Sequence, residues 1–117
     1  MLDKPETLGG ITTKKIETSR LTQHVYLAGP DDGVPVMFVH GNCASALHWE
    51  ENMLALPEGF CGIAPDLRGY GWTEAKPIDA TRGLRDWADD LNALVEALGI
   101  DRFHLVGHSM GGGVAMR

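Results

Sequence analysis

Three short runs of apolar residues, each of strand length, constrain the fold of this chain more than any other feature. They occupy residues 34–39, 60–64 and 103–106. A strand that is buried on both faces of a parallel sheet is apolar along its whole length, not only at alternate positions. Segments with a helical pattern separate these runs, so strands and helices alternate along the chain. The alternation predicts an α/β sheet with right-handed crossovers and helices on both faces.

The other predicted elements fit this plan. Residues 14–20 and 23–28 are short mixed segments, which favour an antiparallel pair of strands ahead of the parallel ones. Ser45 can cap the helix that follows the first apolar run. Over 84–98, apolar residues recur three and four positions apart and form one face of a second helix. Gly99, which is followed by an apolar residue, suits a left-handed C-terminal cap.

Composition excludes several classes of function. Sixteen acidic and ten basic side chains give a formal net charge of -6. This charge argues against a surface for nucleic acid or for anionic membranes, because Lys and Arg bind phosphates. Neither a membrane-spanning run nor an apolar leader occurs, so we expect no membrane association and a cytoplasmic location. Cys43 and Cys61 form no CxxC pair, and we expect both to be reduced, small apolar side chains.

The segment Gly107-His108-Ser109-Met110-Gly111 follows the third apolar run and fits the pattern G-x-S-x-G. A serine on a tight strand-to-helix turn has strained backbone angles, and the residues two positions away come too close to carry a Cβ. Glycine meets this requirement at both positions. The helix that starts here directs backbone N–H groups towards the serine, which suits a developing oxyanion. The pattern therefore predicts Ser109 as a nucleophile and the Met110 amide as an oxyanion donor.

The segment His40-Gly41-Asn42 follows the first apolar run, where a second oxyanion donor is needed. Gly41 lets the chain bend so that the Asn42 amide can point at the same oxygen as the Met110 amide. The loop after the 34–39 strand and the loop that carries Ser109 meet if the 60–64 and 103–106 strands lie on opposite sides of the 34–39 strand. They would then flank a topological switch point, where open α/β sheets bind ligands. We expect His40 to hydrogen-bond loop backbone and not to transfer protons.

The segment Asp66-Leu67-Arg68-Gly69-Tyr70-Gly71 follows the second apolar run, and Asp66 and Arg68 are interpreted as charges that brace this loop. A dinucleotide motif fails here because Glu74 replaces the last glycine of G-x-G-x-x-G, and no Walker lysine occurs. No cofactor and no metal are therefore expected. His24 and His104 lie in strand-like segments, where a structural role is the commoner one.

Together the three motifs resemble those of the α/β-hydrolase superfamily, specifically its serine-nucleophile esterases, cofactor-free haloperoxidase-like hydrolases and C–C bond hydrolases. The resemblance runs from about Gln23 to the last residue, and the motifs match in order. It implies an α/β-hydrolase fold with Ser109 as nucleophile and the backbone amides of Asn42 and Met110 as the oxyanion hole. The His-Gly-Asn form is also similar to that of haloalkane dehalogenases, whose elbow carries aspartate, but Ser109 argues against that chemistry. The residues expected to support the site are His40, Gly41, Gly107, His108 and Gly111.

A base for Ser109 is missing from the sequence. In this fold the catalytic histidine and its acid follow the serine, but none of the eight residues after Ser109 is His, Asp or Glu. We therefore expect residues 11–117 to form the N-terminal half of a hydrolase domain that is inactive alone. Residues 1–10, which contain Pro5 and the pair Gly9-Gly10, are expected to be loosely ordered. The larger enzyme would act on a small-molecule ester or a related carbonyl substrate. The 103–106 strand would expose an apolar edge to which another chain could pair. The alternative is a non-catalytic hydrolase-like ligand receptor or a complementation fragment.

Overall fold

A computed structural model describes residues 7–41 and 44–116, in which five strands form a mixed sheet. They are β1 (Ile11–Glu17), β2 (Thr22–Ala28), β3 (Val34–Val39), β4 (Phe60–Pro65) and β5 (His104–Gly107). Their order across the sheet is β1-β2-β4-β3-β5. β2 pairs antiparallel with both β1 and β4, whereas β3 pairs parallel with β4 and β5. The strands that follow β3 thus lie on either side of it, and the predicted topological switch point is confirmed.

The helices occupy the predicted connections, with one difference. The first is split into a 3-10 turn, Ala46–Trp49, and a short helix α1 (Glu50–Leu54). The turn is tight because the N–H of His48 donates to the carbonyl of Ser45, three residues earlier, at 3.1 Å. The N–H of Leu47 donates to the Ser45 hydroxyl at 3.3 Å, so Ser45 is the predicted cap.

The later helices follow the predicted pattern closely. A second 3-10 turn, Ala80–Arg82, precedes α2 (Arg85–Leu98), and α3 (Met110–Ala115) follows β5. Gly99 adopts the left-handed conformation, with φ 69 and ψ 31, and ends α2. Its predicted role as a C-terminal cap is confirmed. Among the described residues, no helix is both long and apolar enough to cross a membrane.

Four strands differ from their predicted bounds, and two of the differences are small: β2 begins one residue earlier and β4 ends one residue later than predicted. β1 begins and ends three residues before the predicted 14–20 segment, because Thr18 starts a turn. Its N–H donates to the carbonyl of Leu21 at 3.0 Å, and its hydroxyl donates to the same oxygen at 2.9 Å. β5 begins and ends one residue later than predicted, and all four of its residues are exposed. It is an edge strand with β3 on one side only, which explains why an apolar strand is not buried here.

Side chains of the central strands alternate between two cores. Met37 and Val39 pack with α2 and α3 on one face, while Val36 and Phe38 pack with the 3-10 turn and α1 on the other. Helices therefore cover both faces, which accounts for the continuous apolar run of β3. Cys61 is buried in the first core, and burial raises the pKa of its thiol. Cys43 lies outside the described residues.

Candidate active site

Ser109 lies at the sharp turn between β5 and α3. Its backbone angles are φ 56 and ψ -121, and within 7–41 and 44–116 it is the one non-glycine residue with a positive φ. Such a conformation costs about 1–3 kcal/mol. The N–H groups of Gly111 and Gly112 donate to the carbonyls of His108 and Ser109, at 2.9 and 3.0 Å, and start α3. The strained strand-to-helix turn that the G-x-S-x-G pattern predicts is present.

Close approach of three backbone segments explains the glycines on either side of Ser109. A Cβ on Gly107 would lie 2.6 Å from the carbonyl oxygen of Gly111. A Cβ on Gly111 would lie less than 3.0 Å from the carbonyl oxygens of Val39 and His40. These neighbours are backbone atoms that cannot rotate away as a side chain can. Glycine is therefore required at both positions.

The end of β3 meets the same turn. The N–H of His108 donates to the carbonyl of Val39 at 3.1 Å. A Cβ on Gly41 would lie 3.1 Å from both the His108 carbonyl oxygen and the Ser109 Cβ. The two loops thus converge around Ser109, as the sheet order requires. Asn42, the predicted second oxyanion donor, lies outside the described residues, and its role stays a prediction.

Met110 is the first residue of α3. The first N–H groups of a helix have no acceptor within the helix, so the Met110 amide is available to a negatively charged oxygen beside Ser109. This arrangement is compatible with the predicted donor.

His40 connects the ends of β3 and β4. Its Nε2 accepts a hydrogen bond from the Leu67 N–H at 3.0 Å, so the ring proton resides on Nδ1, which donates to the Gly41 carbonyl at 2.8 Å. The side chain is fully buried, and this burial lowers the pKa of His40 below its ordinary value. Both ring nitrogens are hydrogen-bonded to backbone, so His40 links the Gly41 and Leu67 segments, and its supporting role at the site stays a prediction.

Asp66 connects three segments beside the site. Its Oδ1 accepts from the Ala46 N–H at 2.8 Å, and its Oδ2 accepts from the Trp72 N–H at 3.0 Å and lies 3.0 Å from His24 Nδ1. The carboxylate is fully buried, and a Cβ on Gly71 would overlap it. Asp66 therefore has the bracing position that the sequence indicated. Its partner His24, 42 residues away, has no local sequence signal.

Arg68 braces the other side of the same loop. Its guanidinium makes two hydrogen bonds to the buried carboxylate of Asp90 on α2, both at 2.8 Å, and a third to the Pro77 carbonyl at 2.8 Å. Arg20 also donates to Asp90, at 2.7 Å. The loop after β4 is thus held against α2, and the interpretation of Arg68 as a bracing charge agrees with this geometry.

The other histidines divide into two groups. His24 is committed to Asp66, and His104 begins β5, at the end of the strand away from Ser109. His48 and His108 are both exposed and stack on each other, with ring centroids 5.5 Å apart and an interplanar angle of 22°. The sequence predicted a supporting role for His108 but missed His48, because the contact joins segments 60 positions apart. In the described part of the chain, His24 and Asp66 form the one imidazole–carboxylate pair.

Residues 7–41 and 44–116 hold no group of three or more His, Cys, Asp or Glu side chains that could bind a metal ion.

The fold and the geometry around Ser109 agree with the comparison to known families. Residues 34–117 match the family model described as alpha/beta hydrolase fold. The match covers more than half of the chain, which therefore belongs to this family.

Individual relatives include several hydrolases. The chain is 38% identical over 97 residues to epoxide hydrolase 2 of Siraitia grosvenorii and 37% identical over 87 residues to 2-hydroxymuconate semialdehyde hydrolase of Pseudomonas sp. (strain CF600). These matches cover 82% and 72% of this chain, but 30% of each relative. A crystal structure of an epoxide hydrolase from Vigna radiata matches 90% of this chain and 34% of its own, with a TM-score of 0.81 and 34% identity. The chain thus spans about a third of the length of these relatives.

The close backbone contact at Gly111 can be tested by comparing alanine substitutions at Gly111 and at the adjacent Gly112. Gly111→Ala is expected to lower the free energy of unfolding by about 1–3 kcal/mol or more, because the new Cβ meets two carbonyl oxygens. Gly112→Ala is the matched control: it lies in α3, and its Cβ would have no neighbour closer than 3.9 Å. It is expected to stabilise by about 0.5–1 kcal/mol. Urea unfolding followed by circular dichroism measures both, and equal effects would contradict the proposed crowding.

The strain at Ser109 predicts a second contrast. Ser109→Gly and Ser109→Ala both remove the hydroxyl, but only glycine adopts a positive φ without a steric cost. The glycine variant is expected to be more stable than the alanine variant by about 1–2 kcal/mol. Chemical unfolding of the two proteins provides the comparison. An alanine variant as stable as the glycine variant would show that the turn is relaxed.

Proposed function

We propose that this chain carries the nucleophile and the oxyanion hole of a serine hydrolase that acts on an ester or a related carbonyl substrate. The observation that carries the proposal is the strained backbone of Ser109, with φ 56, held at the switch point of the sheet. Strain of this kind persists where surrounding structure enforces it, and it is concentrated at functional sites. Ser109 is also an exposed residue, which suits a nucleophile.

The reaction follows from this placement. Ser109 Oγ forms a bond to the carbonyl carbon while a base takes its proton, and the carbonyl π electrons move to oxygen. The amides of Met110 and Asn42 stabilise this oxyanion. Collapse of the intermediate expels the alcohol, which takes the proton from the base and leaves an acyl ester on Ser109. Water then attacks the ester by the same route, releasing the acid and restoring the serine.

The nucleophile favours carbonyl substrates over epoxides, although epoxide hydrolases are among the relatives. A carboxylate that opens an epoxide gives an ester, which water can cleave. A serine that opens an epoxide gives an ether, which has no carbonyl for water to attack, so the enzyme would stop after one turnover. An oxyanion hole also stabilises the negatively charged oxygen that forms when a carbonyl carbon becomes tetrahedral. Ser109 therefore supports ester or other acyl chemistry for this protein.

We propose that the base is supplied by a histidine and an acid outside these 117 residues. In the described part of the chain, the imidazole–carboxylate pair is the buried one between His24 and Asp66, and it is occupied in bracing loops. The chain alone is then inactive. A ligand receptor or a complementation fragment stays the second candidate, and the exposed apolar edge of β5 favours the complementation fragment.

Labelling with a fluorophosphonate probe tests the proposal. The full-length protein is expected to be modified at Ser109, which mass spectrometry of the digest would locate, because the probe reacts with activated serines. The isolated 117 residues are expected to show no labelling and no turnover of a p-nitrophenyl ester above trace. Ser109→Ala in the full-length protein is the control.

Two results would contradict the proposed serine-hydrolase function. A well-folded full-length protein that is not labelled would indicate a receptor. Robust ester hydrolysis by the 117 residues alone, abolished by Ser109→Ala, would show that the base lies within them.

A further inference from the structure

We propose that residues 74–83 form a strap that ionic contacts hold closed and that opens as a unit, while the core stays folded, when salt screens those contacts. The strap lies in the long connection between β4 and α2. Because β3 pairs parallel with both β4 and β5, this connection leaves the same edge of the sheet as the turn that carries Ser109. Opening of the strap requires no step in the chemistry of Ser109.

The two ends of the strap are fixed. Thr73, which precedes it, is buried, and its hydroxyl donates to the Asp66 carbonyl at 2.6 Å and accepts from the His24 N–H at 2.9 Å. Leu84, which follows it, packs against the core that contains α2. Gly83, the last strap residue, has φ 65 and ψ -123, and a Cβ there would meet no atom within 4 Å. A glycine in open space with this conformation lets the chain turn beside a fixed point.

The strap itself has no apolar anchor. Nine of its ten residues are exposed, and Arg82 is half-buried. Both hydrophobic cores are formed without strap residues, and the Ile78 side chain is exposed. Burial of apolar surface, the dominant favourable contribution to folding, therefore adds little to the stability of this segment.

Charged side chains provide most of the contacts at the start of the strap. The Glu74 carboxylate accepts from the Thr22 N–H at 2.9 Å, and the Lys76 ammonium donates to the Arg20 carbonyl at 2.8 Å. A backbone hydrogen bond from the Glu74 N–H to the Thr22 carbonyl, at 3.1 Å, adds to them. These contacts connect the strap to the turn between β1 and β2.

Two carboxylates of α2 hold the other end of the strap. Asp86 accepts from the Asp79 N–H at 2.7 Å. Arg82 forms ion pairs with both Asp86 and Asp89. The side chains of Arg82 and Asp89 are 36% and 40% exposed, so water and salt reach this contact. Ion pairs with this exposure are weakened by ionic strength.

The buried ion pair beside the strap should respond differently. Arg68 and Asp90, whose side chains are 9% and 0% exposed, hold the loop before the strap to α2. Buried pairs are screened much less than exposed ones as the Debye length falls from about 10 Å at 0.1 M salt to about 3 Å at 1 M. Arg68 also donates to the carbonyl of Pro77 in the strap, at 2.8 Å, but Pro77 is exposed and water can replace this donor. High salt is therefore expected to release the strap and leave the loop before it in place.

Hydrogen exchange of the full-length protein, followed by mass spectrometry, tests the proposal. The amides of Glu74, Asp79, Arg82 and Gly83 donate hydrogen bonds that opening would break or expose. Raising sodium chloride from about 0.05 M to about 1 M is expected to accelerate their exchange about 3- to 10-fold, while amides of β3 change less than about twofold.

Arg82→Gln removes the pairs with Asp86 and Asp89. It is expected to accelerate strap exchange about 3- to 10-fold at low salt, and added salt should then have a smaller effect than in the parent, because both act on the same contact. Arg85→Gln is the matched control. It removes the same charge from an exposed arginine that forms no ion pair with any residue in 7–41 or 44–116, and strap exchange should stay within about twofold of the parent.

Three results would overturn the proposal. Equal acceleration of the strap and β3 by salt would show that the whole domain opens and not the strap alone. Strap exchange that salt leaves within about twofold would show that ionic contacts do not hold it closed. Equal effects of Arg82→Gln and Arg85→Gln would show that net charge, and not the pairs on α2, is responsible. If Arg82→Gln does not fold, Asp89→Asn takes its place with the same expected direction, and an unchanged strap exchange rate in that variant would contradict the proposal.

Discussion

Close approach of backbone to backbone at the carboxyl ends of β3 and β5 is the constraint on which the site depends. Gly107 and Gly111 lie against carbonyl groups at distances that no side chain can share, and Gly41 contacts the same turn. Ser109 lies within this crowded turn, where it has a positive φ and is exposed. The strained serine is thus found where two loops pack tightly at the switch point.

Buried polar side chains hold these loops in place through hydrogen bonds. His40 accepts from the Leu67 amide and donates to the Gly41 carbonyl, so it joins the ends of β3 and β4. Asp66 fixes the start of the 3-10 turn, and Arg68 fixes the next loop to α2 through Asp90. Each group is buried and hydrogen-bonded, which is the condition under which buried polar groups stabilise a unique structure. The buried side chains of the first two motifs therefore hold the loops that converge beside Ser109.

The sequence predicted much of this fold, because its signals are local. The bounds of β3, the left-handed cap at Gly99 and the glycines around Ser109 each reflect a requirement that neighbouring residues show. The predicted bounds of β1 were three residues too late, because the sequence pattern did not indicate the hydrogen bonds from Thr18 to Leu21 that form the turn. The pairs His24–Asp66 and His48–His108 could not be predicted, since each depends on how separate loops meet in space. Asp66 could be interpreted as structural, but its three partners could not be named.

The central claim is that two backbone amides from separate loops meet over the oxygen of Ser109. A crystal structure of the full-length protein with a phosphonate bound covalently to Ser109 measures this directly. The account predicts a phosphonyl oxygen about 3 Å from both the Met110 and the Asn42 nitrogen. A phosphonyl oxygen that faces solvent, or that contacts neither amide, would contradict it.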